Sequence, residues 1–385
     1  MKKYIILFAL FVFLGGCEES SSIDFNVEVE PVTHAMEIEP ILPKKLDKPI
    51  VKSAKLVAIG DILLHQPVYK DAATPEGTYD FSPMFNQVKP LLESADIAVA
   101  NQETMIGGKE LGLSSYPLFN SPFEIGDALK DAGIDIVTLA NNHTMDKGEQ
   151  AIQNALSYWN QIQMPYTGAF QSFEDREEIR MLTKNDITFS FLAYSYGTNG
   201  MPVPEDKPYL INLIDLPLIQ QDVRKAKELS DVVVVSMHWG NEYESLPSTS
   251  QLELARELST MGVDIIIGHH PHVLQPMDWI ERPDGSKTFV MYSLGNFLSG
   301  QIGLDRRIGG IGGIEVTKTT FQGKSTITLN EPNFISTYTH HTNNRDFEII
   351  PMDVLTDAHL IDHKQYTEST QHHMATFIDE LLIVE

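Results

Sequence analysis

The strongest constraint on the fold of this chain is an alternation. Seven short apolar runs, Leu56 to Ile59, Ile97 to Ala100, Ile134 to Ala140, Ile187 to Ala193, Val232 to Met237, Val263 to Ile267 and Phe289 to Leu294, are separated by longer segments. Runs of that length, bounded by glycine and polar residues, have the pattern of buried strands. The segments between them carry helical spacing at Pro83 to Ser94, Pro122 to Ala132, Lys147 to Gln161, Leu216 to Ser230 and Ser248 to Met261. The last opens Ser248-Thr249-Ser250-Gln251, a capped helix start. Strands alternating with helices predict an α/β domain in layers. The Thr-rich segment from Val316 to Leu329 predicts added antiparallel strands, and a C-terminal helix is expected near Tyr366 to Leu382. Gly309-Gly310-Ile311-Gly312-Gly313 follows Arg306-Arg307 and reads as a mobile surface loop, beside a basic pair that could meet an anionic substrate.

The chemistry is written where the runs stop. The first continues into Gly60-Asp61 and reaches His65 four positions later, and the second into Asn101-Gln102-Glu103. Two residues apart in extended chain, Asn101 and Glu103 are expected on one side. The third runs into Asn141-Asn142-His143-Thr144-Met145-Asp146, the fifth into His238-Trp239-Gly240-Asn241-Glu242-Tyr243, and the sixth into Gly268-His269-His270-Pro271-His272. Six of the 13 histidines thus sit at strand ends. The carboxyl edge of an α/β sheet is where ligands bind, and buried amides and imidazoles there need partners. Imidazole with carboxylate and amide oxygen is a ligand set for zinc, manganese or iron, and one or two divalent ions are expected. No Gly-x-Ser-x-Gly elbow, phosphate-binding lysine loop or dinucleotide glycine motif accompanies it.

The N-terminus is set apart from this pattern. Met1-Lys2-Lys3-Tyr4 and the apolar run Ile5 to Leu14 form a secretory-signal pattern, ending in Leu14-Gly15-Gly16-Cys17. That ending resembles a bacterial lipobox, so Cys17, the only cysteine, is expected to be lipidated and to hold the chain on the extracytoplasmic face of the bacterial cell membrane. The Ser-, Glu- and Pro-containing stretch that follows reads as a flexible acidic tether. The formal charge of -25 and the lack of any long basic run exclude nucleic acid as a partner.

The blocks Gly60-Asp61, Asn101-x-Glu103, Asn141-Asn142-His143-x-x-Asp146-x-Gly148, His238-Trp239-Gly240-x-Glu242-Tyr243, Gly268-His269-His270-Pro271-His272-Val273 and Ser293-Leu294-Gly295-Asn296-Phe297, in this order, resemble the CapA family of poly-γ-glutamate capsule proteins. That family is related to calcineurin-like metallophosphoesterases, and the resemblance implies a layered α/β/β/α sandwich. It divides the chain into a signal at 1–16, a lipidated linker at 17–50, the CapA-like domain at 51–345 and a C-terminal extension with a helix at 346–385.

The resemblance further implies Asp61, Asn101, Glu103, Asn142, His238, His270 and His272 as metal ligands. His143, Asp146 and Glu242 would be catalytic, and Asn141, Trp239, Tyr243 and Asn296 would line the substrate site. The Asp-x-His opening of the phosphoesterases is absent, because Ile62-Leu63 follows Asp61, and the Asn101/Glu103 block replaces their bridging aspartate. The implied function is synthesis or anchoring of poly-γ-glutamate or another envelope polymer, beside capsule synthase subunits, by a metal-dependent hydrolase or transferase. The competing expectation is a non-catalytic scaffold of the synthase complex that keeps a vestigial site.

Overall fold

A computed structural model describes residues 48–384. The signal, Cys17 and nearly all of the linker lie outside the described residues.

Two sheets are built in chain order. The first starts with β1 (Ile50–Leu63), β2 (Ile97–Gln102), β3 (Ile136–Thr138) and β4 (Tyr166–Thr167). The second takes β5 (Arg180–Lys184), β6 (Ile187–Ser195), β7 (Val232–His238), β8 (Ile265–His269), β9 (Leu274–Glu281) and β10 (Lys287–Leu294). The chain then returns to the first sheet with β11 (Asn296–Ser299), β12 (Ile308–Phe321), β13 (Lys324–Thr342), β14 (Arg345–Pro351) and β15 (Leu382–Ile383). The first sheet runs β14-β13-β12-β1-β2-β3-β4, with β11 on β1 and β15 on β13; the second runs β5-β6-β7-β8-β10-β9.

The packing makes four layers. Leu56, Val99 and Ile314 of the first sheet meet Phe189, Val234, Ile265 and Phe289 of the second in one buried cluster. The other face of the first sheet packs on helices through Ile125, Leu129, Ile152, Leu156 and Trp159. Across the second sheet, Val235 and Ile266 pack on Ile219, Val223 and Leu258 of the helices Leu216–Leu229 and Thr249–Met261. The fold is therefore the layered α/β domain that the alternation predicts, in the α/β/β/α form that the resemblance implies. Buried parallel strands such as β7 (Val-Val-Val-Val-Ser-Met-His) are apolar on both faces because each face is covered.

Several elements differ from expectation. Gly309 to Gly313 is no mobile loop: it lies inside β12, paired with β1 from Ile59↔Ile311 onward. Side chains are missing there because neighbours take their space. A Cβ on Gly310 would strike the Phe334 ring, and one on Gly312 would meet Met291 and Met277 from the other sheet. The segment Pro83 to Ser94 forms two short helices, Ser82–Phe85 and Lys89–Glu93, and the C-terminal helix is His363–Met374. The boundary expected after residue 345 falls inside β14, which pairs with β13, so the first sheet continues through it.

Candidate metal centre

Parallel pairing brings the polar strand ends into register. Asp61 on β1 stands opposite Asn101 on β2 and Asn296 on β11, Asn101 opposite Thr138 on β3, and His238 on β7 opposite His269 on β8. Local backbone demands are visible at each. Gly60 carries no side chain because a Cβ would run into the Gly295 carbonyl, and that closeness lets the Asp61 amide donate to Gly295 O at 2.8 Å. His270 and His272 adopt φ of 96° and 60°, a left-handed backbone that costs roughly 1–3 kcal/mol per residue and persists at sites where side-chain placement matters.

The carboxylates sit deepest. Asp61 and Glu103 are fully buried. Asp61 Oδ1 accepts from Asn101 Nδ2 at 2.9 Å, and its Oδ2 is 3.1 Å from His272 Nδ1; His269 Nδ1 approaches Oδ1 to 3.2 Å. Glu103 Oε1 lies 3.6 Å from His238 Nε2 and 3.7 Å from His272 Nε2. Neither Glu103 oxygen has a hydrogen-bond partner, and His238 Nδ1 and His270 Nδ1 are likewise buried without one. Native structures leave few buried polar atoms unpaired, so such a concentration asks for a ligand.

The charges agree with that reading. Burial works against the Asp61 carboxylate, but hydrogen bonds and charge from His269 and His272 outweigh it and hold the group well below the usual range. Burial pushes Glu103 well above the usual range, only partly offset by His272. Burial keeps the His238 imidazole neutral with help from His270, and takes His270 down to about 3. On His272 burial is overcome by Glu103 and Asp61, which lift it to about 9. Asp61 and Glu103 thus draw positive charge onto His272, while burial holds His238 and His270 neutral, the state in which imidazole binds a metal.

Three overlapping groups have the spacing of a metal site: Glu103, His238 and His270; Asp61, Glu103 and His272; and Glu242, His270 and His272. Orphaned carboxylate and imidazole atoms in this N/O donor set fit a divalent transition metal, and the overlap through Glu103, His270 and His272 fits one ion or two.

The remaining residues divide between the cleft and its support. His143 Nδ1 is 2.7 Å from Asp146 Oδ2, which also accepts from Phe119 N at 2.7 Å. Asn142 Oδ1 is 2.8 Å from His238 Nε2. Glu242 is exposed at the mouth and joins His270 and His272 in a possible ligand group. Tyr243, 41% exposed, stands beside His272 with ring centroids 6.2 Å apart.

Four roles need correction. Ionised Asp61 can only accept, so the Asn101 amide nitrogen faces it while Oδ1 turns to Thr138 Oγ1; Asn101 orients Asp61 and offers the pocket no oxygen. Asn141 spends its amide on Gln102 O and on the His143 backbone N–H, folding the loop that carries His143. Trp239 is 2% exposed, donates to Tyr292 O at 3.0 Å and packs in the apolar cluster between the second sheet and its helices. Asn296 is buried behind His272, with Oδ1 3.1 Å from Nδ1 and its amide nitrogen donating to Gln301 and the Arg306 carbonyl. His65 is in none of the three groups; its ring packs edge-on against Phe119.

The sequence reading missed Tyr196, Asn199 and Phe119. Tyr196 lies 4.6 Å from the His270 ring and parallel to His238, and Asn199 Oδ1 accepts from Asn142 Nδ2 at 3.3 Å. Both follow β6, and the rule that reads strand ends for polar residues applies to Ser195-Tyr196-Gly197 as well. Phe119, 4.7 Å from the His143 ring, comes from a long connection with no such mark.

Comparison with known proteins places this geometry. Residues 55–301 match the family model described as "Bacterial capsule synthesis protein PGA_cap". The "PGA biosynthesis protein CapA" of Bacillus subtilis (strain 168) is 32% identical over 256 residues, covering 63% of this chain and 62% of that protein. The "Capsule biosynthesis protein CapA" of Bacillus anthracis is 30% identical over 261 residues, covering 64% and 60%. The chain thus spans about three fifths of the length of these curated relatives. Among solved structures, a putative 5'-nucleotidase from Staphylococcus aureus is 16% identical, covering 82% of this chain and 58% of that one, at a TM-score of 0.43. With the family model covering more than half of its length, and the matched segment holding Asp61, Glu103, His143, His238, His270 and His272, the chain belongs to the bacterial capsule synthesis PGA_cap family.

Proposed function

We propose that this protein is a metal-dependent hydrolase or transferase acting on poly-γ-glutamate or on the envelope group to which such a polymer is joined. The observation that carries this reading is Glu103: a fully buried carboxylate with both oxygens unpartnered, facing His238 and His272. Asp61, Glu103, His238, His270 and His272 would hold the ion or ions, with Glu242 at the mouth. An ion held there supplies Lewis-acid polarisation of a phosphoryl or carbonyl oxygen. His143 does the proton work: Asp146 fixes Nδ1, so Nε2 is the atom through which the ring gives or takes a proton. Phe119 and Tyr196 wall the cleft beside His143 and His270. The relatives' names supply the polymer; the site supplies the chemistry. On this reading the chain is held on the extracytoplasmic face of the membrane through a lipidated Cys17 beside synthase subunits, and Cys17→Ser is expected to move it from the membrane to the soluble fraction. An unchanged distribution would remove the anchor.

The test is the metal content of protein purified without chelators, measured by elemental mass spectrometry. Near-stoichiometric manganese, iron or zinc is expected, falling at least tenfold in His238→Ala and His270→Ala, with hydrolysis of phosphoesters or γ-glutamyl amides falling in parallel. Wild-type protein that takes up no ion even on reconstitution would leave the scaffold reading in place.

A further inference from the structure

We infer that Arg306, stacked on Tyr243 at the mouth of the cleft, binds an oxyanion of the substrate, a carboxylate or a phosphate. This rests on the reading of the neighbouring site as one that acts on an anionic polymer, and it assigns a substrate contact that lies beyond the residues 55–301 matched by the family.

The Arg306 guanidinium carbon lies 3.9 Å from the Tyr243 ring centroid. Stacking uses the face of the guanidinium and leaves its in-plane N–H donors free, the donors that match a carboxylate or phosphate two at a time. Of those donors Nε is buried without a hydrogen-bond partner, and no salt bridge among the described residues involves Arg306. In a chain with 53 acidic and 28 basic residues, Arg306 is half-buried yet in no ion pair among the described residues, so its charge is left for a ligand.

The structure also fixes Arg306 relative to the metal ligands. Asn296 donates to the Arg306 carbonyl at 2.9 Å and places its own Oδ1 3.1 Å from His272 Nδ1, so one buried amide ties the arginine's backbone to a candidate ligand. Tyr243 is held on the other side by its amide, which donates to Pro271 O at 2.8 Å, between His270 and His272. Its φ of 65° is left-handed, a conformation a tyrosine adopts at a cost and which aims its ring at Arg306. The carboxylates of Asp61 and Glu242 repel an approaching anion, and Arg306 gives that anion a fixed cationic partner at the entrance.

The test is isothermal titration of the full, metal-analysed protein with two probes, inorganic phosphate and γ-glutamyl-glutamate, in wild type, Arg306→Gln, Arg306→Lys and Tyr243→Leu. At least tenfold weaker binding of one probe in Arg306→Gln, with partial recovery in Arg306→Lys and metal content equal to wild type, supports the assignment. The probe that loses affinity identifies the oxyanion as phosphate or carboxylate. Tyr243→Leu is expected to weaken the same probe less, because it removes the platform and keeps the charge. Arg306→Gln binding both probes within twofold of wild type, or wild type binding neither, overturns it. The metal content of wild type is read separately, so a failure of the metal reading shows there and leaves the Arg306 comparison to decide on its own.

Discussion

At the scale of single residues, Glu103 is a carboxylate whose surroundings suit a cation better than they suit the folded chain alone. A carboxyl group buried without full pairing is destabilising, which is why burial pushes Glu103 up, and a neutral amide of the same shape that needs no proton removes that cost. Glu103→Gln is therefore expected to lose the metal while raising the thermal midpoint of the chelated protein, or at least leaving it unchanged. Differential scanning calorimetry of chelated wild type and variant, beside elemental analysis, checks both halves; a chelated variant clearly less stable than wild type would mean that Glu103 serves the fold. The identity of this residue was legible from its place at the end of a buried run. Its neighbours were legible only as residue types. Asn101, Asn141 and Asn296 are marked as strongly as Glu103 by position, yet their amides face Asp61, Gln102 O and the Arg306 carbonyl, and which way an amide turns is settled by partners distant in sequence.

At the scale of elements, strands that were buried on both faces declared themselves, and those whose side chains were suppressed by neighbours did not. β7 and β10 read directly from their apolar runs, while Gly309 to Gly313 looked like a loop because the space above it belongs to Phe334, Met277 and Met291. The helix Thr249–Met261 was visible from its first turn, where Ser248 and Gln251 form a capping box and Gly262 closes the other end at φ 96°. These two kinds of element predict different consequences of mutation. Ser248→Ala is expected to cost about 1 kcal/mol of stability, the usual worth of a helix cap, and to leave metal content alone. Gly60→Ala is expected to cost more and to lower metal occupancy as well, because its Cβ would push β1 away from the Gly295 carbonyl and carry Asp61 out of register with Asn101. Urea unfolding with metal analysis of both variants separates the two, and a Gly60→Ala protein with full metal content would show that the approach of β1 to residue 295 is not what positions Asp61.

At the scale of the whole molecule, the site is a joint between the two sheets. Asp61 and Glu103 come from β1 and the end of β2, whereas His238, His270 and His272 come from the end of β7 and the loop after β8. The sheets are otherwise joined by the apolar contact between them and by ion pairs such as Lys318–Asp231, so a divalent ion bound by both adds a crosslink at their carboxyl edge that the unfolded chain lacks. Binding of that kind stabilises the folded state by mass action, about 2.7 kcal/mol when the free ion stands at 100 times its dissociation constant. Chelated protein is therefore expected to melt several degrees below the metal-loaded form, and manganese or zinc added back should restore the midpoint in a concentration-dependent way. Because the ligands are shared between sheets, His270→Ala from one side and Asp61→Asn from the other should each flatten that dependence. A shift in midpoint that survives in both variants would place the stabilising ion elsewhere on this acidic surface. Its loss in both would establish that the carboxyl edges of two sheets, distant in sequence and drawn together by the apolar core, act as one binding site.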